Sequence, residues 1–109
     1  MCINLDIEEL RAINRAANII ITAHGRKRLS ERGIHLKDVM DIIEHGEIIE
    51  QYPKDYPFPS CLILGKSVAD RYLHAVVSAN REYLYLITAY EPNSDEWEPD
   101  MKTRKEHQK

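Results

Sequence analysis

The chain has 109 residues, 43% of them apolar and 30% charged, with a formal net charge of −3. That length fits one domain with a real core, and the acidic balance argues against tight, unaided, sequence-independent binding to nucleic acid. Cys2 and Cys61 are too few and too far apart for a disulfide framework or a zinc site; they fit a reducing cytoplasm.

The opening M-C-I-N-L-D has no charged leader followed by an apolar run, and no apolar stretch approaches the roughly 18 residues of a membrane helix. Neither export nor a membrane span is expected. Asp6 and Glu9 form a variant of the capping box. Ile7, Leu10, Ile13 or Asn14, and Ala17 then approximate a helical stripe, predicting a first helix over about Ile7–Ala17. Ile19–Ile21 is either a buried connector or a brief extended segment.

Next comes I-T-A-H-G-R-K-R-L-S-E-R-G-I, residues 21–34, with Thr22 as a candidate N-cap and Gly33 as the residue just past the helix end. The helix between them, about Ala23–Arg32, has only Ala23 and Leu29 as apolar anchors. Most of its surface must therefore face solvent or a ligand. It gathers Arg26, Lys27, Arg28 and Arg32 in an acidic protein, and His24, Arg28 and Arg32 fall in one row at i, i+4 and i+8. A third helix spans about Leu36–His45, where Leu36, Val39, Met40 and Ile43 give the clearest helical period in the chain, and Gly46 caps it.

Beyond Gly46 the period becomes that of strands: Glu47–Tyr52, Ser60–Leu64, Tyr72–Ala79 and Glu82–Tyr90, with P-K-D-Y-P-F-P as a loop. A two-residue turn at Asn80-Arg81 would pair Ala79 with Glu82 and set His74 opposite Ile87. Leu73, Ala75, Val77, Leu84 and Leu86 then share the core face, and His74, Tyr83 and Tyr85 the other. Residues 91–109 read as an acidic stretch followed by a polar tail. The expected architecture is one α+β domain over 1–109, with its core at about 7–90 and N-terminal helices on one face of a four-stranded antiparallel sheet.

Cleavage of RNA without a metal needs a base for the 2′-hydroxyl, cations for the charge on phosphorus oxygens and an acid for the 5′-oxygen. The chain offers His24 and His74 as base and acid, Arg28, Arg32 and Arg104 as phosphate clamps, and Tyr85 and Tyr90 near the last strand. The histidines lack the spacing of a metal site, and this chemistry calls for no cofactor. Each residue also has a structural reading. His24 can cap or pack its helix, Arg28 and Arg32 can pair with Glu31 or acids of the third helix, and His74 can be a half-buried strand residue. Tyr85 and Tyr90 can be sheet packing, and the Trp97 segment a packed latch. Lys102, Arg104 and Lys105 are then a solvated tail unless it folds back.

Taken together, I-T-A-H-G-R-K-R-L-S-E-R-G-I, H-G-E-I-I-E-Q-Y-P, P-S-C-L-I-L-G, L-H-A-V-V and L-I-T-A-Y-E-P, followed by W and K-T-R, resemble the small bacterial family labelled domain of unknown function 4258, over about Ile20–Arg104. The order of elements is also similar to RelE-like toxins and the BrnT group. That resemblance implies a RelE/barnase-like fold and a ribonuclease toxin paired with an antitoxin of the zinc-ribbon type. It singles out His24, Arg28, Arg32, Gly33, His74, Tyr90 and Arg104. Gly25 departs from the alanine of the family pattern, and a helix-interior glycine costs about 0.5–1 kcal/mol relative to alanine. The low basicity departs from RelE toxins as well. The resulting expectation is a small, metal-independent, toxin-like endoribonuclease acting by 2′-hydroxyl attack. The alternative is a non-catalytic interaction module of a toxin–antitoxin-like pair.

Overall fold

The computed structural model describes residues 4–105 apart from Ala69. Helix α1 (Ile7–Ala12) starts at Asp6, whose carboxylate accepts the Glu8 N–H at 2.9 Å; the reciprocal bond from Glu9 is not formed among the described residues. The helix ends well before Ala17. Asn14 turns its amide to the Met40 carbonyl at 2.9 Å, and the chain continues as a short 3-10 turn, Ala16–Asn18. A side chain able to bond distant backbone competes with helix propagation in this way.

The remaining elements are β1 (Ile19–Ile21), α2 (Ala23–Glu31), α3 (Leu36–His45), β2 (Glu47–Tyr52), β3 (Ser60–Lys66), β4 (Tyr72–Ala79) and β5 (Leu84–Tyr90). They form a five-stranded mixed sheet in the order β1-β5-β4-β3-β2, which corrects the expected four-stranded antiparallel one. The added strand is the Ile19–Ile21 segment, paired parallel to Leu84–Leu86. Three residues show too little period to reveal a strand, and a parallel partner some 65 residues away leaves no local signature.

The β4–β5 register also differs from the two-residue-turn expectation. Ala79 pairs with Leu84 rather than Glu82, and His74 with Tyr90 rather than Ile87. Asn80 is the cause: its side-chain oxygen accepts the N–H groups of Glu82 and Tyr83 at 2.8 and 2.7 Å, holding residues 80–83 as a wider loop. Ile87 then bulges between the Val77–Leu86 and Val76–Thr88 pairs. The predicted core face is nevertheless kept. Leu73, Ala75, Val77, Leu84 and Leu86 are all buried together with Val39, Ile42 and Ile43 of α3, Leu10 of α1 and Leu29 of α2.

The opposite face is covered as well. Leu62, His74 and Trp97 are buried there, and the chain from Pro92 to Lys105 lies across it instead of trailing into solvent. The described part of the expected polar tail is thus a folded layer. No helix among the described residues is long and apolar enough to cross a membrane. Cys61 is buried, and burial alone pushes its thiol up to about 12, leaving an inert thiol; Cys2 lies outside the described residues.

Helix α3 sits close to the sheet because Gly65 has no side chain: a β-carbon there would lie 2.5 Å from the Ile42 Cβ. Overpacking of a tight core costs about 1–3 kcal/mol. Gly65→Ala is therefore expected to lower the urea unfolding free energy by about that amount, and an unchanged midpoint would show that α3 can back away at no cost.

Candidate functional site

Helix α2 is short of apolar anchors, so its ends are fixed by polar contacts. At the start, the Thr22 hydroxyl accepts the Gly25 N–H at 3.0 Å. At the other end Gly33 takes φ 66°, and Arg71 donates to the carbonyls of Gly33 (2.9 Å) and Arg32 (3.4 Å) while pairing with Glu91. A guanidinium at a helix C-terminus also opposes the negative end of the helix dipole. Gly25 suits its position, since a β-carbon there would crowd the Thr22 hydroxyl at 3.2 Å and Ile21 at 3.3 Å.

So held, α2 continues from the end of β1 along the outer edge of β5, with Gly25 beside the Ile87 carbonyl and Arg32 beside Thr88 and Ala89. His24, Arg26, Lys27, Arg28 and Arg32 are all exposed. Among the described residues none of these cations forms an ion pair, so pairing of Arg28 or Arg32 with Glu31 or with α3 does not occur. Arg32 is partly committed: its Nη1 donates to the Ala89 carbonyl at 2.8 Å and to the Thr88 hydroxyl at 3.2 Å, satisfying backbone that β1 is too short to reach. His24 and Arg28 make no side-chain hydrogen bond among the described residues.

His74 lies in a different environment. It is fully buried, with its Nε2 bonded to the Met101 carbonyl at 2.7 Å and its Nδ1 facing the Tyr90 hydroxyl at 3.4 Å. Since a carbonyl only accepts, Nε2 carries the proton and Nδ1 is the acceptor. The Trp97 ring meets the imidazole edge-on at 4.5 Å, and the Arg104 guanidinium covers the indole at 4.7 Å. Arg104 in turn clasps Glu50 through two bonds, at 2.8 and 3.1 Å, and the Tyr52 hydroxyl donates to the same carboxylate. Arg104 holds the Glu50 carboxyl below its usual range, whereas burial raises the Tyr52 phenol to about 12. Burial also pushes His74 down, opposed in part by the Met101 carbonyl, and pushes Tyr90 up.

Apart from Tyr90, the acid–base and phosphate-clamp candidates thus fall into two groups. His24, Arg28 and Arg32 line the open face of α2, a row about 12 Å long by helical rise. His74 and Arg104 belong to the packed C-terminal layer. Tyr90, half-buried, stands between them, within the field of both Arg32 and Arg104. Glu50, Tyr52, Arg71 and Met101 were missed. Strand periodicity does place Glu50 and Tyr52 on one face, but their partner lies 54 residues on. Among the described residues no group of His, Cys, Asp and Glu is arranged to hold a metal ion.

The aromatic and ionic layer over His74 gives a pH dependence whose sign is fixed. The folded pKa of His74 lies below its ordinary 6.5, so the unfolded chain takes up this proton first as pH falls. The stabilisation is complete above about pH 6.5 and is lost as pH drops through the folded value. Glu50, held low by Arg104, adds a second loss only at more acidic pH. Fluorescence of Trp97, the sole tryptophan, is expected to report a falling urea midpoint between about pH 7 and 5. In His74→Phe that part of the profile should flatten; a slope kept by the variant would assign it to another group.

The model of the family described as domain of unknown function (DUF4258) matches residues 21–91. The match runs from the last residue of β1 through β5, including His24, Arg28, Arg32, His74 and Tyr90, and stops short of Trp97 and Arg104. No curated protein and no solved structure matches the chain. On a match that covers well over half of its length, the chain belongs to the DUF4258 family.

Proposed function

We propose that this protein acts on RNA as a small, metal-independent endoribonuclease of the toxin type, with the open face of α2 as its substrate surface. The observation that carries the reading is the exposed row His24–Arg28–Arg32, flanked by Arg26 and Lys27 and without acidic partners among the described residues. Cations left unpaired in an acidic protein keep a local field that attracts phosphates. In this reading Arg28 and the uncommitted nitrogens of Arg32 grip the phosphate, and His24 takes the proton of the 2′-hydroxyl. The 2′-oxygen then bonds to phosphorus, and the bond to the 5′-oxygen breaks. Tyr90, whose hydroxyl stays protonated at neutral pH, gives up its bond to the His74 Nδ1 and donates that proton to the leaving 5′-oxygen on the Arg32 side. Products are a 2′,3′-cyclic phosphate and a free 5′-hydroxyl. His74 moves from acid–base group to positioning residue, holding Tyr90 and anchoring the C-terminal layer. The RelE/barnase-like arrangement, and an antitoxin partner of the zinc-ribbon type, are part of the same proposal.

A second reading, a non-catalytic module for a protein partner, is favoured by one observation. An apolar groove of about 560 Å³ opens between α1 and the β4–β5 loop, lined by Leu5, Leu10, Ile13, Pro59 and Ala79. It lies away from the α2 row and would serve docking rather than chemistry.

Loss of one general base lowers a rate by about 10²–10⁴-fold. Purified protein incubated with end-labelled RNA is expected to yield 2′,3′-cyclic phosphate ends, and His24→Ala should fall by that factor with its fold intact. Cleavage unaffected in His24→Ala would end this assignment, and no cleavage at any protein-to-RNA ratio would favour the interaction module.

A further inference from the structure

We infer that the protein holds a single-stranded segment of RNA by stacking an unpaired base on an aromatic platform made by Phe58 and Tyr85, beside the α2 cations. This inference rests on the proposal that α2 meets RNA. Phe58 and Tyr85 lie parallel, with ring centroids 5.7 Å apart and planes 13° from coplanar. The pair is not core: Phe58 is 37% exposed, and Tyr56, two residues earlier, is 95% exposed. Yet it is firmly held. Asn80 donates to the Tyr85 hydroxyl at 3.2 Å, and Ser78 donates to the Pro59 carbonyl at 2.7 Å, fastening the loop that presents Phe58. A flat ring surface fixed in advance and left open to solvent suits a ligand with a π-face.

Sheet register joins this platform to the cations. Tyr85 is paired with Ile20 of β1, itself 42% exposed; further along β5 the exposed Ile87 bulges, and the residue after it is Thr88, which receives Arg32. Three residues of strand separate the ring from that contact, about 10 Å. Aromatic stacking next to guanidiniums and a histidine is the combination that grips single strands, the rings taking bases and the cations the backbone. A duplex offers no free base face, so the platform selects unpaired RNA. An acidic protein partner would use the cations but would leave the stacked rings without a matching group.

The test is binding of a 2′-O-methyl oligouridylate of about 12 nucleotides, which cannot be cleaved by 2′-hydroxyl attack and fits known single-strand site sizes. Phe58→Leu is expected to weaken it roughly ten-fold, as loss of one stacked base does, with inorganic polyphosphate bound as before. Phe58→Trp should restore the affinity. Equal losses for both probes, no loss in Phe58→Leu, or duplex RNA bound as tightly as the single strand would each overturn the platform. So would wild-type protein that ignores the oligouridylate but binds polyglutamate, which would assign the surface to an acidic protein. Cleavage is scored separately on ordinary RNA. Cleavage with no effect of Phe58→Leu on binding fails the platform alone, and platform-dependent binding without cleavage fails the nuclease alone.

Discussion

Strand β4 is buried on both faces over most of its length, and the rest of the molecule is arranged around covering it. On one side Leu73, Ala75 and Val77 lie under α3 and its neighbours, all removed from solvent. On the other, His74 carries two hydrogen-bonding nitrogens into a site that water cannot reach. A buried polar group without partners costs about 1–3 kcal/mol, so the second layer must bring an acceptor and a donor as well as apolar cover. Met101 brings the carbonyl, Tyr90 the hydroxyl and Trp97 the cover. The chain from Pro92 to Lys105 is organised by that requirement, down to Asn93 and Asp100, whose side chains close its turns.

Covering His74 has a consequence for chemistry. Glu50 and Arg104 neutralise each other across the edge of the layer, while Lys102 reaches Glu47 on the same strand. Lys102 and Arg104 are therefore spent on acids of β2. The cations of α2 are not, because that helix lies along the far edge, beyond β5. The molecule separates a packed, self-satisfied ionic layer on one side from an unmatched cationic row on the other. An overall charge of −3 conceals this division, since it sums over both.

Much of the fold was readable from the chain. The three helices, the four long strands and the core face of the β4–β5 hairpin all follow from local period and caps, which report on neighbours within a turn or two. Thr22 and Gly33 bracket α2 as their chemistry demands. The wider Asn80 loop was invisible because a shift of two residues keeps Leu84 and Leu86 inward; the Ile87 bulge then turns Ala89 rather than Thr88 into the core. For Leu84 and Leu86, a test based on which residues are apolar gives the same answer with either loop.

For the site, the sequence by itself determined that α2 would be too polar to bury and would carry His24, Arg28 and Arg32 on one side, since helical geometry alone sets that row. It also determined that His74 would sit on the face away from Leu73 and Ala75. Only the tertiary structure decided what became of each. Exposure depends on which distant segment lands on a face, and here residues 97–104 land on His74 while nothing among the described residues lands on His24. The pairing of Arg104 with Glu50 and the freedom of Arg28 have the same physical origin: ion pairs form between groups brought close by packing, at separations in the chain that no local pattern records.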